Sequence, residues 1–261
     1  MAKKKTAFVC NECGADFPKW QGQCPACGAW NTLQEFVVDP AMPKSRSAER
    51  SGFSGQLSEV RQLNEIALED SPRISAGMDE LDRVLGGGLV PGSAILLGGH
   101  PGAGKSTLLL QVLCRLADRG KCFYITGEES LAQVAMRADR LKLPKEKLRL
   151  AAETDVEQIL ELARKEQPRL LVVDSIQVMY LAGLQSAPGS VAQVREGAAA
   201  LTRFAKQTGT VLLLVGHVTK DGTLAGPKVL EHMIDCSLML EGSADARFRT
   251  LRGLKNRFGA V

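Results

Sequence analysis

Short apolar runs alternate with segments of helical periodicity from about Ser93 onwards. Ala94–Leu97, Leu170–Val173 and Val211–Gly216 are runs of strand length, each followed by turn or polar residues. Between such runs, apolar residues recur every three or four positions, for example along Ser190–Thr208, as on one face of an amphipathic helix. Buried strands that alternate with helices are typical of a mostly parallel sheet, so the pattern predicts an α/β domain.

Further elements fit the same scheme. The run that begins at Lys121 and the segment Leu148–Ala151 are predicted strands, and Leu131–Leu141 is a predicted helix. Thr154 and Glu157 have the spacing of a capping box, which predicts a helix from there to Glu166.

The first third of the chain is organised differently. Residues 39–55 contain few large apolar side chains and many Ser, Pro, Gly and charged residues, which indicates a linker. We therefore expect a small module at residues 1–38, a linker and approach segment at 39–69, and the main domain at 70–261.

The small module contains two CxxC pairs separated by ten residues, each followed by a glycine. Four thiolates at this spacing can surround Zn²⁺ tetrahedrally, and metal binding would supply the folding energy that so short a segment lacks. A redox pair or chance cysteines fit less well, because no βαβ pattern precedes the cysteines. We expect Trp20 and Trp30 to cover the module's small core. The predicted zinc ligands are Cys10, Cys13, Cys24 and Cys27.

A glycine-rich loop follows the first strand of the main domain and precedes a helical stripe, in the order that a phosphate-binding loop requires. It matches GxxxxGK[ST] from Gly99 to Ser106. In such a loop the backbone N–H groups surround the phosphates, the Lys105 ammonium reaches the β and γ phosphates, and the Ser106 hydroxyl binds Mg²⁺. The residues expected to bind ATP are Gly99, His100, Pro101, Gly102, Ala103, Gly104, Lys105, Ser106 and Thr107.

Acidic residues follow two other predicted strands. Asp174 ends the run Leu170–Val173, as the Mg²⁺-binding acid of a Walker B strand does. Glu128 and Glu129 follow the strand that begins at Lys121, where one of them could activate the attacking water; alternatively, both simply favour a helix N-terminus. His217 follows a strand too, as a γ-phosphate sensor or as a structural residue.

Composition adds limits. The chain is 44% hydrophobic and 24% charged, which is typical of a globular protein, and it contains neither a run long enough to span a membrane nor a recognisable secretory signal. We expect a cytoplasmic protein. The net charge of +4 is small, but residues 245–261 hold five basic residues and one acid. The polar loops Tyr180–Gly189 and Thr219–Lys228 suit a phosphate backbone, although solvated loops are equally common.

Together these motifs resemble the bacterial RadA (Sms) family of RecA-like ATPases. The resemblance rests on CNEC and CPAC, the phosphate-binding loop, TGEES at 126–130, GHVTKDG at 216–222 and above all KNRFG at 255–259. It implies a RecA-like core and a DNA-dependent ATPase of homologous recombination and repair. It also implies a homo-hexamer that acts on single-stranded DNA and branched recombination intermediates alongside the RecA recombinase.

The resemblance also implies residue roles. Lys105, Ser106 and Thr107 would hold the phosphates and Mg²⁺, with Asp174 as the Walker B acid. Glu128 would be the catalytic glutamate, with Glu129 as the second choice. Lys255 and Arg257 would contact the nucleotide of the adjacent subunit, although a solvated basic face is the simpler alternative.

Two further expectations follow. Members of the family continue past KNRFG with a strand and a Lon-protease-like domain, so we expect this sequence, which stops at Val261, to be a truncated or short form. The main alternative function is a nucleotide-switched scaffold similar to KaiC-like proteins, in which hydrolysis does not depend on DNA.

Overall fold

The computed structural model describes residues 5–10, 16–25, 28–38, 62, 64, 73–184, 186–218, 224–225, 228–242, 248–259 and 261. The strands are β1 Lys5–Cys10, β2 Asp16–Phe17, β3 Leu33–Val38, β4 Ala94–Gly99, β5 Cys122–Thr126, β6 Arg149–Ala152, β7 Leu170–Asp174, β8 Val211–Val215, β9 His217–Val218, β10 Leu224–Ala225, β11 Cys236–Glu241 and β12 Thr250–Asn256. The helices are α1 Asp79–Val84, α2 Lys105–Leu116, α3 Leu131–Arg140, α4 Val156–Glu166, α5 Val191–Thr208 and α6 Lys228–Met233, with a 3-10 turn at Ile176–Val178.

The main domain is built on a seven-stranded sheet with the order β12-β11-β4-β8-β7-β5-β6. Every neighbouring pair is parallel except β11 and β12, which are antiparallel. Helices cover both faces, so all residues of the central strands β4, β5, β7 and β8 are buried. The predicted α/β fold with a mostly parallel sheet is confirmed.

Alternate side chains of β4 enter the two halves of the core. Ile95 and Leu97 pack with Leu109 and Leu113 of α2 on one face, whereas Leu96 packs on the other face with the apolar sides of α4 and α5. Burial on both faces explains why the strand is a continuous apolar run without alternation of polar residues.

Local capping signals fix where most of the helices begin. Ser130 and Gln133 form a capping box at the start of α3, and the Ser190 side chain caps α5. The prediction for α4 was wrong in one detail. Asp155, not Thr154, is the N-cap, because its carboxylate accepts the hydrogen bond from the Glu157 N–H.

The pair β11–β12 extends the sheet beyond the predicted strands. Asp235, the residue directly before β11, fixes the start of that strand and is only 2% exposed. The Asp235 carboxylate accepts hydrogen bonds from the Ala94 N–H at 3.0 Å and from the Lys206 Nζ at 2.9 Å, and the Arg257 Nη1 lies 3.3 Å away. One carboxylate thus joins the start of β4, helix α5 and the turn that follows β12.

The N-terminal module is an antiparallel sheet with the order β2-β1-β3. Cys10, Cys24 and Leu33 form its small buried cluster. Trp20 and Trp30 do not cover this core, contrary to expectation, since they are 56% and 69% exposed. Apart from residues 62 and 64, the predicted linker lies outside the described residues. In the part of the chain that the structure describes, no helix is both long and apolar enough to cross a membrane.

Candidate nucleotide-binding site

The carboxyl ends of β4, β5, β7 and β8 meet at one edge of the sheet, where ligands bind in open parallel sheets. A cleft of about 380 Å³ opens there, which is large enough for a nucleotide's phosphates and sugar. Ten of the predicted site residues line it: Pro101, Gly102, Gly104, Lys105, Ser106, Thr107, Glu128, Glu129, Asp174 and His217. Thr126, Arg137 and Arg140, which were not predicted, complete the lining.

The loop after β4 has the shape that phosphate binding requires. Gly102 and Gly104 have φ angles of +80° and +98°, which a residue with a Cβ adopts only with strain. Helix α2 begins directly afterwards with no side-chain cap on its first N–H groups, so these donors remain available to an anion. Ala103 is buried beneath the loop. On its outer side, a methyl group on Gly104 would lie only 2.8 Å from the Arg249 Nη1.

Lys105, the first residue of α2, is tied back to the loop that precedes it. Its side chain is buried, and Nζ donates hydrogen bonds to the carbonyl oxygens of Gly99 at 2.8 Å and His100 at 3.0 Å. Burial lowers the pKa of the ammonium, although the charges of Asp174 and Glu128 oppose this shift. The two carbonyl contacts hold the cation over the loop where the phosphates of a nucleotide would lie.

Asp174 ends β7 and lines the same cleft, and two hydroxyls form hydrogen bonds with its carboxylate. The Tyr124 hydroxyl donates a hydrogen bond to Oδ2, and Ser106 also bonds to the carboxylate. Burial raises the pKa of Asp174, while these two hydrogen bonds lower it. Ser106 and Asp174 together offer the oxygen ligands that Mg²⁺ prefers, so the residues fit the expected ion.

Tyr124 was not among the predicted site residues. Its ring is completely buried in β5, and burial together with the neighbouring Asp174 charge raises the pKa of the phenol, which keeps it a donor. A signal was present in the sequence, because a tyrosine hydroxyl inside an apolar strand needs a partner.

Glu128 and His217 come together from different strands. Glu128 Oε1 accepts a hydrogen bond from the Ser175 hydroxyl and lies 3.2 Å from the His217 Nε2. Burial alone would raise the pKa of Glu128, but these hydrogen bonds and the charges of His217 and Lys105 lower it. Glu128 is therefore an ionised carboxylate that faces the cleft. His217 opens the short strand β9 rather than ending β8.

Glu129 has a different partner. Its carboxylate forms an ion pair with the Arg137 Nη2, and Thr126 binds both its N–H and its carbonyl. The other guanidinium nitrogen, Arg137 Nη1, is buried and has no hydrogen-bond partner among the described residues. Arg137 and Arg140 were missed by the sequence analysis. They add positive charge to the wall formed by α3.

Lys255 and Arg257 lie far from this cleft. The pairing of Cys236 with both Ile95 and Asn256 places them beside the start of β4, at the opposite edge of the sheet. Lys255 Nζ donates to the Ile234 carbonyl at 2.8 Å, and Arg257 binds the Asp235 carboxylate and the His232 carbonyl. Neither residue can contact a nucleotide bound in its own subunit's cleft.

Two of the four predicted zinc ligands, Cys13 and Cys27, lie outside the described residues. Cys10 and Cys24 are each 1% exposed, and the Cys10 Sγ lies 3.2 Å from the Thr32 hydroxyl. Two buried thiols, one beside a hydroxyl, fit a structural metal centre. Among the described residues alone, no group of three possible ligands is found.

The two polar loops that were predicted to suit a phosphate backbone differ in how much of them is described. The loop that begins at Thr219 lies largely outside the described residues, whereas hydrogen bonds of the Gln193 side chain hold the loop from Leu181 to Ser186.

The fold and the site define a P-loop nucleotide-binding domain of the RecA-like class, joined to a small cysteine-containing module. A family model described as an AAA domain matches residues 61–223, and another described as a rubredoxin metal binding domain matches residues 8–35. The chain therefore belongs to the AAA domain family. The matched families indicate an ATPase with an N-terminal metal-binding module.

The chain is similar along its whole length to several proteins named DNA repair protein RadA. It is 64% identical to that of Salmonella typhimurium, 63% to that of Escherichia coli and 47% to that of Bacillus subtilis, in each case over 100% of this chain and 57% of the relative. The resemblance to the bacterial RadA family is confirmed. The chain spans a little over half the length of the curated relatives it matches.

The Tyr124 hydroxyl has a testable effect on Asp174. In Tyr124→Phe the ring stays in the core while one hydrogen bond to the carboxylate is lost. We expect the Mg²⁺ concentration needed for tight nucleotide binding to rise about tenfold, since a hydrogen bond to a charged group contributes about 1.5 kcal/mol or more. A fluorescent ATP analogue titrated at several Mg²⁺ concentrations measures this. Tyr180→Phe, which lies away from the cleft, is the control, and equal Mg²⁺ dependence in both variants would contradict the assignment.

The different partners of Glu128 and Glu129 predict different effects of amide substitution. Glu128→Gln should reduce ATP turnover by about 100-fold or more while nucleotide affinity stays within about threefold of the original, as expected for loss of a general base. Glu129→Gln should weaken the contact with Arg137 and lower the melting temperature, with turnover reduced far less. Steady-state turnover, nucleotide titration and thermal melting of both variants check this. The reverse order of turnover losses would assign the base to Glu129.

Proposed function

We propose that this chain is the ATP-hydrolysing part of a DNA-dependent motor of homologous recombination and repair. In this proposal it binds single-stranded DNA and promotes branch migration of recombination intermediates in the cytoplasm. The observation that carries the proposal is the convergence of Lys105, Ser106, Asp174 and Glu128 on one cleft, in a chain similar throughout to proteins named for DNA repair. Residues 1–38, 39–69 and 70–261 would be the zinc module, the linker and the ATPase domain.

The cleft suggests how its residues share the reaction. The Lys105 ammonium and the free N–H groups at the start of α2 would hold the β and γ phosphates. Ser106 and Asp174 would bind Mg²⁺, which, when present, neutralises charge on the phosphates. Glu128 would accept the proton of the attacking water, and its contact with His217 would keep the carboxylate aligned.

The remaining parts of the proposal concern assembly and partners. The chain would form a homo-hexamer and act with the RecA recombinase, and Zn²⁺ would occupy the site of Cys10, Cys13, Cys24 and Cys27. Lys255 and Arg257 would act on the neighbouring subunit's nucleotide. Their position is consistent with this role, because from the amino end of their own sheet they could reach a nucleotide cleft only in another copy. To do so, they must exchange their present contacts with Ile234 and Asp235 for phosphate oxygens.

A complementation experiment separates action in the neighbouring subunit from action within one subunit. Lys105→Ala and Lys255→Ala should each reduce turnover by about 100-fold or more when tested alone. Mixed together, they should recover part of the activity, because some interfaces combine an intact P-loop with an intact Lys255. Arg252→Ala is the control, since Arg252 lies on the same strand but pairs with Glu241. Mixtures that stay inactive while the subunits assemble would rule out the proposed role.

Dependence on DNA is the direct test of the motor function. Single-stranded DNA should increase ATP turnover, with Lys105→Ala as the blank. The DNA concentration for half-maximal stimulation should rise at least about tenfold between roughly 50 and 200 mM salt, because phosphate contacts release counterions. Turnover that is indifferent to DNA at all salt concentrations would contradict the motor and favour the nucleotide-switched scaffold.

A further inference from the structure

The N-terminal module exposes both tryptophans of the chain. Trp20 and Trp30 are 56% and 69% exposed, although tryptophan is among the side chains that gain most from burial. Exposed large aromatic side chains that neighbour each other indicate a binding surface more often than isolated ones do.

The two rings are neighbours across a glycine. A Cβ on Gly22 would lie 3.8 Å from the Trp20 Cη2 and 3.8 Å from the Trp30 Cζ3. The six-membered ends of both indoles therefore border the same small space, which any side chain at position 22 would fill. We call Trp20, Gly22 and Trp30 the tryptophan platform.

Main-chain hydrogen bonds hold the platform in place. The Asn31 N–H donates to the Gly22 carbonyl at 2.7 Å, and the Cys24 N–H donates to the Ala29 carbonyl at 2.8 Å. Gln23 and Trp30 form a β-bridge, and the Gln23 side chain donates to the Gly28 carbonyl. The backbone positions of Gly22 and Trp30 are thus set before a ligand arrives, which reduces the ordering cost of binding.

Polar residues and one cation adjoin the two tryptophans in the sequence. Lys19, Gln21 and Asn31, which are next to Trp20 or Trp30, are exposed. Stacking needs only the faces of one or two aromatic rings and a nearby cation.

We propose that the tryptophan platform stacks bases of single-stranded DNA, with Lys19 facing the phosphate backbone. The inference rests on the proposed function only for the kind of strand that is bound. It assigns to the N-terminal module a DNA contact that is separate from the nucleotide cleft.

Intrinsic fluorescence provides a direct test, because these are the only two tryptophans in the sequence. The full chain is titrated with a 20-nucleotide oligothymidine while tryptophan emission is recorded. We expect saturable quenching, with an apparent dissociation constant that rises as salt is added. A duplex of the same length should quench much less, since its bases are already stacked.

Variants connect the signal to affinity. Trp20→Ala and Trp30→Ala should each weaken oligothymidine binding by roughly 5- to 100-fold in an anisotropy titration, and Trp20→Phe should retain most of the affinity. Phe248→Ala is the matched control, because Phe248 is 85% exposed but lies in the main domain. Metal content and thermal melting identify any alanine variant that has lost the module's fold. In that case, the oligothymidine affinity of Trp20→Phe and the fluorescence quenching of the unsubstituted chain test the proposal.

The possible outcomes separate this inference from the proposed function. DNA-stimulated turnover without any change in tryptophan emission would overturn the platform as a DNA site and leave the motor intact, with the rings available to a protein. Quenching without DNA-stimulated turnover would support the platform while contradicting the motor. Equal quenching by duplex and single strand would overturn base stacking.

Discussion

The site depends on keeping one buried positive charge in place without a carboxylate in direct contact. The Lys105 ammonium is held by the carbonyl oxygens of Gly99 and His100, and Asp174 and Glu128 act on it only through their charge. For these contacts to form, the loop must turn sharply around the Lys105 side chain. The turn requires residues that adopt positive φ, and Gly102 and Gly104 are such residues. A phosphate group would find the cation and the free helix N-terminus already positioned, so little rearrangement is needed on binding.

The sequence predicted this part of the molecule well because the determinants are local. A buried strand, a glycine loop and a helix follow one another within about 25 residues, and each has its own signal in hydrophobic pattern or residue type. Parallel strands then bring Asp174 and Glu128 to the same edge without further information. The prediction of Thr154 as the N-cap of α4 was wrong for an equally local reason, because Asp155 provides a carboxylate one residue later.

What the sequence did not predict depends on contacts between distant segments. Strands β11 and β12 were missed, and their place in the sheet is defined by pairing with β4 and with each other. Tyr124 reaches Asp174 from 50 residues away, and adjacent glutamates acquire different partners from α3 and from the region after β7. The exposure of Trp20 and Trp30 was not predicted either, because hydropathy alone assigns large aromatic side chains to a core.

Asp235 connects three segments of the main domain at the amino end of β4. Its carboxylate binds the first residue of β4 and the Arg257 side chain, and the last residue of β4 begins the loop around Lys105. β4 is hydrogen-bonded to a neighbour on each side, β11 and β8. Asp235 and the phosphate-binding loop therefore lie at the two ends of one central strand about 20 Å long. A single buried carboxylate thus connects the turn that carries Arg257 to the strand that carries the loop.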